Sequence, residues 1–185
     1  LQGESGLLHT PTGSGKTLAA FGGPLLEALA ISPSPPGRGV GERVRRNQPS
    51  ATEATATASA SLSKKSNRNN KARPLSVLWI TPLKALAADT VRALREPIAA
   101  LGVDWQVGLR TGDASARDKR LARAGKIDVL VTTPESLSLL LSYPDTAPQL
   151  SGVRCVIVDE WHGLLGNKRG VLLQLAIARL RALSP

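Results

Sequence analysis

The eight residues Thr10-Pro11-Thr12-Gly13-Ser14-Gly15-Lys16-Thr17 constrain the fold of this chain more than any other stretch. They lie between a short apolar run, Gly6-Leu7-Leu8-His9, and a helical pattern that opens at Leu18. Strand, glycine-rich turn, then helix is the layout of a nucleotide phosphate-binding loop. Glycines let the backbone approach a polyphosphate and turn several N–H groups toward it. The helix that follows presents its free N–H groups and its positive dipole end to the same anion. Thr12, Gly13, Ser14, Gly15, Lys16 and Thr17 are therefore the expected nucleotide contacts. Lys16 reaches the β- and γ-phosphates in such a loop, and the Thr17 hydroxyl ligates Mg²⁺. Position 10 is Thr where the common pattern has Gly, but Gly13-Ser14-Gly15-Lys16-Thr17 is intact.

A second motif lies far downstream. Val153-Arg154-Cys155-Val156-Ile157-Val158 is a short β-branched run, read as a buried parallel strand. It ends in Asp159-Glu160-Trp161-His162. Ligands gather at the carboxyl ends of strands in open α/β sheets. Two adjacent carboxylates there suit ATP hydrolysis: Asp159 to hold Mg²⁺, usually through water, and Glu160 to orient and deprotonate the attacking water. With Lys16 they make the expected catalytic set. The plainer reading, an acidic helix cap after a core strand, is a common use of Asp and Glu.

The 185 residues suffice for one α/β domain with its own core. The single cysteine, Cys155, excludes an internal disulfide and reads as inert core. No apolar run approaches membrane-spanning length, so no membrane partner is expected and a cytoplasmic setting is the default. The chain opens almost directly on its first motif, which reads as a truncation.

The net charge of +10 invites a nucleic-acid partner, but residues 33–73 carry +7 of it. That segment is Pro/Gly-rich at its start and then rich in Ala, Ser and Thr, with only Val40, Val44 and Leu62 as sizeable apolar residues. These are too few to offset the entropy of ordering, so residues 33–73 read as a disordered basic insertion between domain segments 1–32 and 74–185. A solvated linker and a basic tether for nucleic acid both fit this composition.

The remainder alternates strand and helix. Strands are expected over 75–80, 105–109, 128–132 and 153–158, and helices over 83–101, 115–124, 134–141 and 169–183. Pro97 is expected to kink or end the second helix, and Pro134 to open the fourth. The alternation implies a parallel sheet covered by helices on both faces. Trp79 and Trp105 read as core residues in strands, and His9 as a structural residue ending the first strand.

Several strand ends carry polar motifs: Thr81-Pro82-Leu83-Lys84, Arg110-Thr111-Gly112-Asp113 and Thr132-Thr133-Pro134-Glu135. Hydroxyls, backbone N–H groups and helix starts recurring at one sheet edge suit contacts with successive phosphates of an extended strand. They carry no base code, so binding of this kind tolerates many sequences. Each motif taken singly also serves as a turn or helix cap.

The order of these motifs resembles the first RecA-like domain of superfamily 2 helicases, in the DExH branch. Thr81-Pro82-Leu83-Lys84-Ala85-Leu86, Thr132-Thr133-Pro134-Glu135-Ser136-Leu137 and Asp159-Glu160-Trp161-His162 look like the large helicase-related group. Residues 7–17 and 164–170 resemble its bacterial ligase-associated DExH-box subgroup, in which Glu usually stands at the place of Gly163. The resemblance covers residues 1–32 and 74–185. It implies a RecA-like P-loop NTPase fold that binds ATP and Mg²⁺. It implies 3′-to-5′ translocation on single-stranded or partly duplex DNA in DNA repair, with a DNA ligase as an associated partner. Thr81, Pro82, Lys84, Thr111, Gly112, Thr132, Thr133, Pro134 and Glu135 become nucleic-acid contacts by this resemblance, and His162 couples the nucleotide to them. The chain ends before the third motif and the second RecA-like domain of that family, so alone it is expected to be inactive. An RNA substrate stays open, as does another P-loop ATPase or a nucleotide-binding module.

Overall fold

The computed structural model describes residues 5–9, 15–31, 75–112, 116, 120 and 126–183. The expected insertion 33–73, and Thr12, Gly13 and Ser14 of the phosphate loop, lie outside the described residues.

Four parallel strands form the sheet: β1 (Val77–Ile80), β2 (Val107–Arg110), β3 (Val129–Thr132) and β4 (Cys155–Val158), in the order β2-β3-β1-β4. Side chains alternate between the faces, so β1, β3 and β4 each feed two cores, while β2 feeds one through Val107 and Leu109. Val77, Trp79, Val129 and Val131 meet one set of helices, α1 (Lys16–Ile31) and α2 (Lys84–Ala100), through Phe21, Leu25, Ala87, Val91, Leu94 and Ile98. Leu78, Ile80 and Leu130 meet the other set, α3 (Pro134–Leu141) and α5 (Lys168–Leu183), through Leu137, Leu140, Leu141, Leu173, Ala176 and Leu180. Phe21, Leu25 and Ala28 of α1 recur at helical spacing and are buried, which is why this segment is a helix on the sheet despite Gly22, Gly23 and Pro24 within it. A 3₁₀ turn at Pro144–Thr146 and the short helix α4 (Ala147–Leu150) lead into β4.

The expected α/β sandwich with helices on both faces is present, with strand starts shifted by one or two residues. Pro97 lies in the last turns of α2, which runs on to Ala100. Of the helix expected over 115–124, Ala116 and Arg120 are described; both are helical, and Arg120 Nε donates to the Ala116 carbonyl at 3.3 Å.

Two expectations fail. Residues 6–9 form no strand: Leu7 is 85% and Leu8 49% exposed, and His9 is exposed rather than ending a core strand. Two leucines between Gly6 and His9, with no β-branched neighbour, offer little surface to hold a strand on the sheet. Trp105 lies before β2 rather than in it, half-buried with its ring 6.1 Å from that of Phe21. Trp79 is buried in β1 as expected.

The fold closes tightly where α5 meets the 3₁₀ turn Trp161–Leu164. A Cβ at Gly170 would overlap the Leu164 carbonyl. Backbone cannot swing aside as a side chain can, so Gly170→Ala is expected to destabilise the chain by about 1–3 kcal/mol, as overpacking does. A denaturant melt measures it; an unchanged midpoint would mean that α5 lifts away freely.

Candidate nucleotide and nucleic-acid site

The strand register sets the site. Ile80 pairs with both Thr132 and Val158, and Arg110 pairs with Thr132. The four strands therefore end in one row. Thr81, Thr111, Thr133 and Asp159 are the next residues along that edge, on neighbouring strands about 4.8 Å apart. Backbone bonds extend the row: Thr81 N–H donates to the Thr132 carbonyl (3.0 Å), and Asp159 N–H to the Ile80 carbonyl (2.8 Å).

Helix α1 points its N-terminus to the same edge. Its C-terminal half lines a cleft with Ser76, Val77 and Cys155, at the starts of β1 and β4, and Glu27 pairs with Arg154 at 3.2 Å. A helix of 16 residues spans about 24 Å, so its first turn lies at the far, carboxyl end of those strands. Lys16 and Thr17 open that turn, beyond Gly15 at φ +79°. An L-residue at such a φ costs about 1–2 kcal/mol, and among the described residues no heavy atom lies within 4 Å of a Cβ built there. The backbone angle alone therefore calls for glycine at 15. A left-handed glycine that turns the chain into a helix start is the cradle a polyphosphate needs.

Asp159 and Glu160 follow β4, both half-buried. Asp159 Oδ1 accepts the Glu160 N–H at 2.9 Å, which fixes the carboxylate at the strand end. Glu160 adopts φ +47°, ψ +43°, alone among the described non-glycine residues in having a positive φ. Such a conformation concentrates at functional sites, where surrounding structure enforces it. His162 is 80% exposed, with Nδ1 3.3 Å from Glu160 Oε2. Trp161 packs against the core beneath. The hard oxygens of Thr17 and Asp159 suit Mg²⁺.

The threonines expected to face nucleic acid are turned inward. Thr81, Thr111, Thr132 and Thr133 are all buried. Thr132 Oγ1 donates to the Arg110 carbonyl at 2.7 Å, and Thr133 Oγ1 caps α3 by accepting the Ser136 N–H at 3.4 Å. Pro82 and Pro134 are buried too. Lys84, Gly112 and Glu135 are exposed, and Lys84 Nζ lies 3.4 Å from the place of a Cβ on Gly112. The side chains that reach solvent at this edge are thus fewer than the sequence motifs, and the threonines build the scaffold beneath them.

Arg169 was not legible as a site residue. Its guanidinium forks onto Glu135, with Nε on Oε1 and Nη2 on Oε2 at 3.2 Å, and Nη2 also donates to the Pro82 carbonyl at 2.5 Å. The Arg169 hydrogen bond holds the Glu135 carboxyl below the usual glutamate range, and the pairing raises the arginine in turn. Burial, with Glu27 nearby, pushes the Cys155 thiol up, away from reactivity, in keeping with an inert half-buried residue.

The sequence matches the DEAD/DEAH box helicase family over residues 1–185. The chain belongs to that family. Among curated relatives, the Lhr helicase/uracil glycosylase of Escherichia coli K12 is 35% identical over 97% of this chain and 10% of its own length. The ATP-dependent helicase Lhr-Core of Methanothermobacter thermautotrophicus is 34% identical over 98% of this chain and 18% of its own. This DEAD/DEAH box domain therefore spans between a tenth and a fifth of those relatives. Among solved structures, Mycobacterium smegmatis helicase Lhr bound to ssDNA and AMP-PNP has a TM-score of 0.65 and 33% identity, over 96% of this chain and 19% of that one. The yeast DEAD-box splicing factor Prp28 matches at TM-score 0.63 and 17% identity, over 95% of this chain and 32% of that one, a likeness of fold alone. The RecA-like assignment of this helicase domain follows.

Proposed function

We propose that this chain is the first motor domain of an ATP-dependent DNA helicase that moves 3′-to-5′ along single-stranded or partly duplex DNA, in DNA repair. One observation carries the reading. The N-terminus of α1, the Asp159-Glu160 pair and the three loops after β1, β2 and β3 all meet at one aligned sheet edge. A nucleotide at Lys16 and Thr17 and a polynucleotide at Lys84, Gly112 and Glu135 would then lie along the same row, with His162 paired to Glu160 as the coupling residue. Mg²⁺, held by Thr17 and through water by Asp159, would neutralise charge on the β- and γ-phosphates. Lys16 binds those phosphates and Glu160 orients water. The relative solved with ssDNA supports DNA over RNA. Polarity, repair and association with a DNA ligase rest on the motif resemblance.

The test is ATP hydrolysis by a turnover-competent protein carrying this chain, with oligo(dT), oligo(U) or no strand added. Oligo(dT) is expected to stimulate phosphate release most. Stimulation by oligo(U) alone would make the substrate RNA, and none by either would leave a P-loop ATPase that is not a helicase.

A further inference from the structure

Arg169 joins elements that are far apart in sequence. It is the second residue of α5, Glu135 lies in the first turn of α3, and Pro82 follows β1. One guanidinium holds both oxygens of the first and the main-chain carbonyl of the second. It is itself held from behind. Asn167 Oδ1 accepts the N–H of Arg169 (3.0 Å) and of Gly170 (3.1 Å), while Asn167 Nδ2 donates to the Gly163 carbonyl (2.9 Å). Gly163 belongs to the 3₁₀ turn that carries His162, and a Cβ on it would lie 3.8 Å from the Pro82 ring. The turn after Asp159-Glu160, the start of α5, the loop after β1 and the start of α3 are thus one bonded unit.

We propose that Arg169 is a positioning residue that clamps the loop after β1 to the N-terminus of α3, so that Lys84 and the start of α2 are held in one place on the strand path. The proposal rests on the reading of this edge as a DNA site. The phosphate donors on the clamped loop are Lys84 and the first backbone N–H groups of α2; α3 serves as the anchor, since Pro134 has no N–H and those of Ser136 and Leu137 bond Thr133. A loop meets a phosphate in one place only if it is anchored to a neighbouring element. The planar fork of arginine suits this task, because it can bond a carboxylate and a carbonyl together. Lysine keeps the charge and loses the fork. Arg169 also cancels the Glu135 charge beside the strand path, so the test must separate clamping from neutralisation.

The experiment uses the full 185-residue chain and fluorescein-labelled oligo(dT), read by anisotropy, with AMP-PNP affinity and amide hydrogen exchange measured alongside. Arg169→Ala is expected to weaken oligo(dT) binding about fivefold, the upper range for a partly exposed ion pair. Exchange should rise together at residues 83–86 and 135–137, and AMP-PNP affinity should hold. Arg169→Lys should recover part of the loss. Adding Glu135→Gln to Arg169→Ala should recover none, since removing the charge does not restore the clamp. Full recovery in that double variant, unchanged oligo(dT) affinity, or an equal loss of AMP-PNP affinity would each overturn the proposal. If the unsubstituted chain binds no DNA, the DNA reading itself fails, and exchange still decides the clamp: a joint rise supports it and no rise overturns it.

Discussion

Lys16→Ala is expected to abolish productive ATP binding in a turnover-competent protein carrying this chain, whereas Glu160→Gln keeps binding and stops turnover. The two residues act on different parts of one reaction. Lys16 opens α1 beside the left-handed Gly15 and is the proposed positive partner of the β- and γ-phosphates. Without it the dipole of α1 and the loop N–H groups remain, but the charge of the triphosphate goes largely unmatched. As the proposed base, Glu160 would act on the nucleotide only through the attacking water. Gln keeps the shape and removes the base, a change typically worth about 10²–10⁴ in rate. Equilibrium affinity for a fluorescent ATP analogue and steady-state phosphate release separate the roles. Normal turnover in Glu160→Gln would falsify the assignment of the base. Tight binding in Lys16→Ala would move the anchor to the helix dipole.

The 185-residue chain alone is expected to bind ATP–Mg²⁺ weakly and to hydrolyse it negligibly. In the proposed reading Lys16, Thr17, Asp159 and Glu160 account for the phosphates, the metal and the water from one side. Charge that develops on the transferred phosphoryl group also needs positive groups on the other side. In the family this chain resembles, those arginines come from a second RecA-like domain that closes over the nucleotide. An arginine of that kind is worth about 10³–10⁵ in rate. A phosphate-release assay on the purified chain, with and without oligo(dT), is the check. Robust strand-stimulated turnover would show that one domain suffices and would overturn the half-motor reading.

How much of this could be read in advance differs from element to element, for physical reasons. The strands at 77–80, 129–132 and 155–158 were legible because runs such as Val77-Leu78-Trp79-Ile80 feed both cores of a parallel sheet and so stay apolar throughout. Helix α3 was legible to the residue, because Thr133 caps it and Pro134 opens it. The run Gly6-Leu7-Leu8-His9 carried the same local signal as a buried strand and is exposed instead, since a short apolar run does not reveal whether a partner edge receives it. At the candidate site, phosphate chemistry dictates the types and spacing by which Lys16, Thr17, Asp159 and Glu160 are proposed, and the structure sets Lys16 and Thr17 at the start of α1 and Asp159 and Glu160 after β4. The inward turn of Thr132 was not legible: it continues the pleat of β3, and its hydroxyl finds the Arg110 carbonyl of the neighbouring strand. Arg169 was hidden for a different reason. Its partners Glu135 and Pro82 stand 34 and 87 positions away, and local pattern cannot pair residues at that separation.

The left-handed backbone at Glu160 sets the chain's interest in folding against its interest in chemistry. A side chain at φ +47° costs about 1–2 kcal/mol that glycine would not incur. A search for more heat-resistant versions of this domain would therefore be drawn to glycine at 160 and, with Glu160 as the proposed base, would return sturdy proteins that no longer turn over. On the proposed reading the position works as a marker of purpose: selection for durability alone would erase it, and selection for catalysis would keep a glutamate there.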